Sequence, residues 1–160
     1  MNEDDAPFIQ SLFNDPLVVE LVGSRGLETL DACRNYLLNN VMESYKNNGY
    51  GVCKIVLKET MKPIGTTAFV KRPWMERESE INIGYLMLDG YRGRGIVYEA
   101  AQACLDKVKD DPKFEDIVGT SRTNNGPSIA ILKKLGLTFK KHYYQYNIQH
   151  SYFVLNPKYL

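Results

Sequence analysis

The stretch from Ser79 to Lys109 constrains the fold more than any other. SEINIGYLML (79–88) alternates, with Ile81, Ile83, Tyr85 and Met87 on one face and Glu80, Asn82, Gly84 and Leu86 on the other. That period reads as a strand. It runs straight into DGYRGRG (89–95), and residues 95–109 then take the period of an amphipathic helix. Strand, glycine-rich turn and helix start in immediate succession make an anion site. The first helical N–H groups lack partners and carry partial positive charge, and glycines let a ligand approach the backbone closely. Arg92 and Arg94 add charge-assisted donors that suit phosphate oxygens.

Two common phosphate motifs do not fit. No Lys-Ser/Thr follows Gly95, so the metal-holding hydroxyl of the ATP-type loop is absent. Gly93 and Gly95 supply G-x-G of the dinucleotide pattern, but Tyr98 takes the third glycine's place. The site is expected to take phosphate without a bound metal. The competing reading is a tight turn with two solvated arginines.

The rest of the chain reads as one mixed layer structure. Helices are expected over 4–13, ended by Asn14-Asp15-Pro16, and over 27–46, where Leu30, Cys33, Leu37, Val41 and Tyr45 form an apolar face. Residues 50–58 and 63–71 read as a strand hairpin, and 72–78 as a charged loop. A strand at 114–122, a helix at 125–135 stopped by Gly136, and strands at 137–147 and 150–156 complete the order α-α-β-β-β-α-β-α-β-β. No linker, repeat or low-complexity tract divides residues 1–160, so a single domain is expected.

Composition excludes several classes. Twenty basic against 19 acidic residues give a net charge of +1, which offers no field for nucleic acid. The three cysteines, Cys33, Cys53 and Cys104, have no C-x-x-C spacing and lie in apolar stretches, so burial rather than a disulfide or zinc site is expected. The acidic N-terminus does not read as a signal peptide, and no run is apolar enough to span a membrane. A reduced, soluble, cytoplasmic protein is expected.

A second motif follows the first. NNGPSIAILKKLGL (124–137) combines Asn125, Ser128, Lys134 and Gly136 on a turn and helix. With both motifs in order, the sequence resembles the GNAT superfamily of acyl-CoA-dependent N-acetyltransferases. That family's loop pattern, Q/R-x-x-G-x-G/A, is matched by Arg92, Gly93, Arg94, Gly95, Ile96 and Val97, although Val97 stands where a small residue is usual. Its later N-x-x-S/A…K-x-G-F pattern is matched by Asn125, Ser128, Lys134 and Gly136, with Leu137 in place of Phe. The RimJ/RimL-like branch is similar in its G-Y pair, here Gly84-Tyr85, and in its early run, here Asp4-Asp5-Ala6 and Asn14-Asp15-Pro16.

The resemblance implies a mostly antiparallel mixed sheet flanked by helices, of α+β type within the broad α/β class, with strands splayed around the cofactor. The strand that usually precedes the early run has no counterpart, which would leave an edge near residues 50–58. The resemblance also implies acetyl-CoA as acyl donor, no metal, and a primary amine as acceptor, either a protein or peptide N-terminus or a small amine. Transfer would be direct within a ternary complex, by a monomer or homodimer. The loop Arg92–Val97 would hold the diphosphate, with Asn125, Ser128 and Lys134 contributing. Leu86, Met87 and Leu88 would carry the pantetheine arm, and the main chain at Tyr85 would receive the developing oxyanion. Asn82 stands where a catalytic Glu is common, so Glu80, two residues earlier by strand parity, is the candidate base. Leu132 stands where an acidic Tyr is common, so Ser128 is the candidate donor to sulfur. These two departures support a second reading, a GNAT-like module that binds acyl-CoA without turnover. The acidic residues Glu76, Glu78 and Glu80 would attract a cationic amine, or form a solvated loop. Trp74 is expected either at the substrate or over the core, and His142 and His150 as packing residues.

Overall fold

In the computed structural model, which describes Met1–Leu160, six strands form one sheet in the order β1-β2-β3-β4-β6-β5. They are β1 Val52–Val56, β2 Pro63–Val70, β3 Ile81–Met87, β4 Ile117–Arg122, β5 Thr138–Gln145 and β6 Ile148–Val154. β1/β2, β4/β6 and β5/β6 pair antiparallel, while β3/β4 pair parallel. A parallel neighbour needs a crossover. Here the crossover contains helix α5, Ile96–Val108, which follows the glycine-rich turn. The parallel ladder covers Ile81–Ile117, Asn82–Val118 and Ile83–Gly119, after which β3 continues to Met87 and β4 to Arg122. The expected edge is present: β1 has β2 as its only neighbour in the sheet.

The chain divides into two compact units, Met1–Ala68 with Tyr85–Val97, and Phe69–Gly84 with Tyr98–Leu160. The first is built on helices α1 (Ala6–Phe13), α2 (Pro16–Val22), α3 (Leu30–Tyr36) and α4 (Glu43–Asn48). Phe8, Ile9 and Leu12 of α1 recur at helical spacing and bury against Cys33, Leu37 and Val41. Full burial of such a side chain stabilises by about 1.5–3 kcal/mol. Leu86 and Leu88 pack on the same cluster. Thr29 caps α3 by accepting from the Ala32 amide at 3.2 Å.

Several expectations need correction here. The helix expected over 27–46 starts at Leu30 and is interrupted by a π-helical segment, Leu37–Met42, before α4. The Asn14-Asp15-Pro16 run does end α1, but Asp15 at once caps a further helix, α2, which periodicity did not reveal over so short a span. Cys33 is buried and Cys104 half-buried, but Cys53 is exposed on the edge strand β1.

In the second unit, Leu132 of α6 (Gly126–Lys134) is fully buried. A Cβ at Gly119 would stand 2.4 Å from its Cδ2, so the helix sits directly on β4. Phe69 meets Phe114 edge-on at 5.1 Å, and Phe139 meets Phe153 at 5.8 Å.

Candidate active site

The turn before α5 has the geometry an anion needs. Gly90, Gly93 and Gly95 have φ of 79°, 72° and 77°, a region that L side chains enter only with strain. Nothing in the chain lies within 4 Å of a Cβ built at Gly93 or Gly95, so these glycines serve the backbone path and leave its outer face open. Arg92 and Gly93 form a hydrogen-bonded turn ahead of Arg94, and the Gly93 and Gly95 amides are not among the donors of the turn's backbone hydrogen bonds. Gly93, Arg94 and Gly95 are exposed, and Ile96 and Val97 open the helix half-buried.

Arg92 behaves differently from Arg94. Its Nε donates to the Met87 carbonyl at 3.1 Å, and its Nη2 to Asp15 Oδ1 at 2.5 Å. Burial alone would push the Asp15 carboxyl up. The hydrogen bonds from Arg92 and from the Val18 and Asp89 amides, with the Arg92 charge, outweigh it and hold the carboxyl below its ordinary value.

Of the residues expected to carry the arm, Met87 is buried, while Leu86 and Leu88 are half-buried with side chains on the helical core. Any contact with the arm would therefore come from their main chain. Tyr85 is half-buried.

In the second unit, Asn125 Oδ1 accepts from the Ser128 amide at 3.3 Å and caps α6, which engages the Asn125 side chain. Ser128 is half-buried in the first turn. Lys134 lies with Nζ 4.1 Å from the ring centre of Tyr98, in the first turn of α5. Leu132 is core, so no hydroxyl replaces the Tyr that is common at its position.

Glu80 occupies a different setting from the one parity suggested. It precedes β3, with its amide bonded to the Arg77 carbonyl in a turn. Its carboxylate is fully buried, 2.7 Å from Arg77 Nη2, and accepts from the Glu76 amide at 2.9 Å. Arg77 also grips Asp116 through two bonds of 2.9 and 2.8 Å, and its guanidinium lies 4.2 Å from the Tyr159 ring centre. Burial and the neighbouring Glu80 carboxylate push the Tyr152 phenol up. Of the acidic loop, Glu76 pairs with Lys140 at 3.0 Å and with Lys141, while Glu78 is exposed. Trp74 is half-buried with Arg72 5.4 Å from its ring centre. His142 Nδ1 lies 3.3 Å from Ser151 Oγ, and His150 stacks on Tyr143 at 5.3 Å, so both histidines pack along the β5/β6 hairpin.

The residue missed from sequence is Asp15. An Asp before Pro at a helix start is a readable cap signal. Its partner, 77 positions away, has no local signature.

No helix is long and apolar enough to cross a membrane. Residues 1–138 match the family described as "Acetyltransferase (GNAT) domain". YkkB, an uncharacterized protein of Bacillus subtilis, is 28% identical over 142 residues, covering 88% of this chain and 79% of that protein. The ribosomal-protein-S5-alanine acetyltransferase of Vibrio fischeri superposes with a TM-score of 0.80 at 22% identity, over 96% of this chain and 88% of that one. The aminoglycoside acetyltransferase AAC(6')-Ib, solved with coenzyme A, superposes at 0.75 with 20% identity, over 99% and 92%. The two structures share the fold at identities that carry nothing finer. By the family match over most of its length, the chain belongs to the GNAT acetyltransferases.

Proposed function

We propose that this GNAT acetyltransferase moves an acetyl group from acetyl-CoA directly to a primary amine, and that peptide or protein α-amines are its preferred acceptors. The observation that carries the cofactor reading is the exposed, left-handed glycine turn at Gly93 and Gly95 directly in front of α5. With the first turn of α5 and Arg94, the main chain of that turn would hold the diphosphate. The main chain of Leu86–Leu88 would carry the arm, and the main chain at Tyr85 would meet the oxyanion. Lys134, held on Tyr98, would add positive charge near α6.

In the reaction, the amine nitrogen attacks the thioester carbonyl carbon, the C–N bond forms and the C–S bond breaks. One proton leaves the amine and one reaches the thiolate. Glu80 fits the task of base poorly, because Arg77 already neutralises it and no solvent reaches it. A protein without an open base favours amines that are neutral in water. An α-amine has a pKa of ~7.8 and a lysine-like alkyl amine ~10.4, so near neutral pH the α-amine offers a few hundredfold more free base. Glu76, paired to Lys140 and Lys141, likewise offers a polycation little to hold.

A panel of acceptors, scored by free-thiol release from acetyl-CoA, tests this. Short peptides with free α-amines should exceed polyamines and aminoglycosides by at least roughly tenfold in kcat/KM, with a rate that follows the acceptor's own titration. Glu80→Gln should leave that pH profile in place. Preference for a polyamine, or a profile shifted by Glu80→Gln, overturns the acceptor assignment. Tight acetyl-CoA binding without turnover on any amine favours the binding-module reading, which the buried Leu132 and Asn82 support.

A further inference from the structure

Arg92 and Arg94 stand two residues apart in the same turn, yet their side chains are used differently. Arg94 is exposed, and no group of the chain takes its guanidinium. Arg92 is turned inward. Its Nε serves the Met87 carbonyl, its Nη2 serves Asp15, and its Nη1 lies 3.4 Å from Asp89 Oδ1. A guanidinium donates in a rigid planar fork, so a side chain aimed at these three acceptors has committed its orientation. Asp15 is committed as fully. Oδ1 also accepts from the Leu17 and Val18 amides at 3.0 and 3.2 Å, and Oδ2 accepts from the Asp89 amide at 3.2 Å. Asp15 itself is buried.

We propose that Arg92 is a positioning residue and not a phosphate ligand. With Asp15 it locks the turn Met87–Arg92 to the N-terminus of α2, and so presents the amides of Gly93 and Gly95, while Arg94 supplies the charge that meets phosphate. This rests on the reading that the turn holds the acetyl-CoA diphosphate. Its consequence is that α2 and the turn move together. A displacement of α2 changes cofactor affinity through Asp15, although Asp15 touches no cofactor.

The experiment has two arms. In the protein without ligand, amide hydrogen exchange reads the lock directly. Asp15→Asn and Arg92→Gln should each speed exchange at the bonded amides of Leu88, Asp89 and Tyr91 by roughly tenfold or more, while Arg94→Ala leaves it unchanged. Arg92→Lys keeps the charge but loses the fork, and should behave as Arg92→Gln. The second arm titrates acetyl-CoA at low and high salt. Arg94→Ala should weaken binding and flatten its salt dependence, because a charge contact has gone. Arg92→Gln should weaken binding and keep the salt dependence, and the Asp15→Asn/Arg92→Gln double variant should bind no worse than the weaker single. Unchanged exchange in Arg92→Gln overturns the proposal, as does a flattened salt dependence matching that of Arg94→Ala. If the unaltered protein fails to bind acetyl-CoA, the functional reading falls, and the exchange arm still decides the lock by itself.

Discussion

Gly65 lies in β2, where a built Cβ stands 2.5 Å from the Leu86 carbonyl oxygen and 3.1 Å from Met87 Sδ and Cε. Gly65→Ala therefore drives a methyl group into main chain, and main chain has no rotamer with which to escape. A carbon rests at about 3.3 Å or more from a carbonyl oxygen, so β2 and the end of β3 must part locally by roughly 0.8 Å. Overpacking of this kind costs about 1–3 kcal/mol. The neighbouring hydrogen bond from the Leu88 amide to the Ile64 carbonyl, 2.9 Å long, is strained by the same shift, adding about 0.5–1.5 kcal/mol at most. Alanine restricts the unfolded chain and returns about 0.4–1 kcal/mol. The net loss is about 2–3 kcal/mol, or a fall in Tm of roughly 5–10 °C for a chain of this size. Gly119→Ala is the control. Its Cβ would come nearer still to a neighbour, 2.4 Å, but that neighbour is the tip of the Leu132 side chain, with Leu137 Cδ2 at 3.0 Å. Side-chain tips can turn, so the control should cost less than half as much. Urea unfolding of both variants, with the slope m held constant, gives the comparison. A loss below about 1 kcal/mol for Gly65→Ala, or an equal loss for Gly119→Ala, would refute the claim that backbone contact decides.

Two further outcomes follow from the buried charges of the second unit. Arg77→Met should lower stability by about 3–5 kcal/mol, because it leaves the carboxylates of Glu80 and Asp116 buried without their cation; a loss under about 1 kcal/mol in urea unfolding would show that the cluster is solvated. The Asp116 carboxyl is pushed up by burial, but the bonds from Arg77 and the Ser79 hydroxyl and the Arg77 charge outweigh this and hold it below 3.8. A carboxyl lowered by folding contributes stability that is present above its unfolded value and is lost as pH falls through the folded one. The Tm gap between the unaltered protein and Asp116→Asn should thus be widest above about pH 5 and shrink below about pH 4; a gap independent of pH would contradict the assignment.

What could be read along the chain was local. Asn125 announces α6, because a cap bonds within three residues of itself. The helical step through Cys33, Leu37 and Val41 named core residues before any contact was known, while Leu30 of the same expected face is exposed. Glu80 shows where such reading failed. Strand parity put it inside the strand on the face of Asn82, whereas it lies in the turn before β3, and its role depends on Arg77, and through Arg77 on Asp116 and Tyr159. The neutralised Glu76 failed in the same way, since its lysine partners lie 64 and 65 residues on.

The residues from Ser79 to Lys109 by themselves determined a strand, a glycine turn in left-handed conformation and a helix start, because each of these states is set by the φ, ψ and hydrogen-bonding limits of adjacent residues. Only the tertiary structure decided which arginine of that turn remains open. Arg92 and Arg94 are chemically identical and two positions apart. Folding brings Asp15 to one of them across 77 residues, and no local periodicity encodes which charge will meet which.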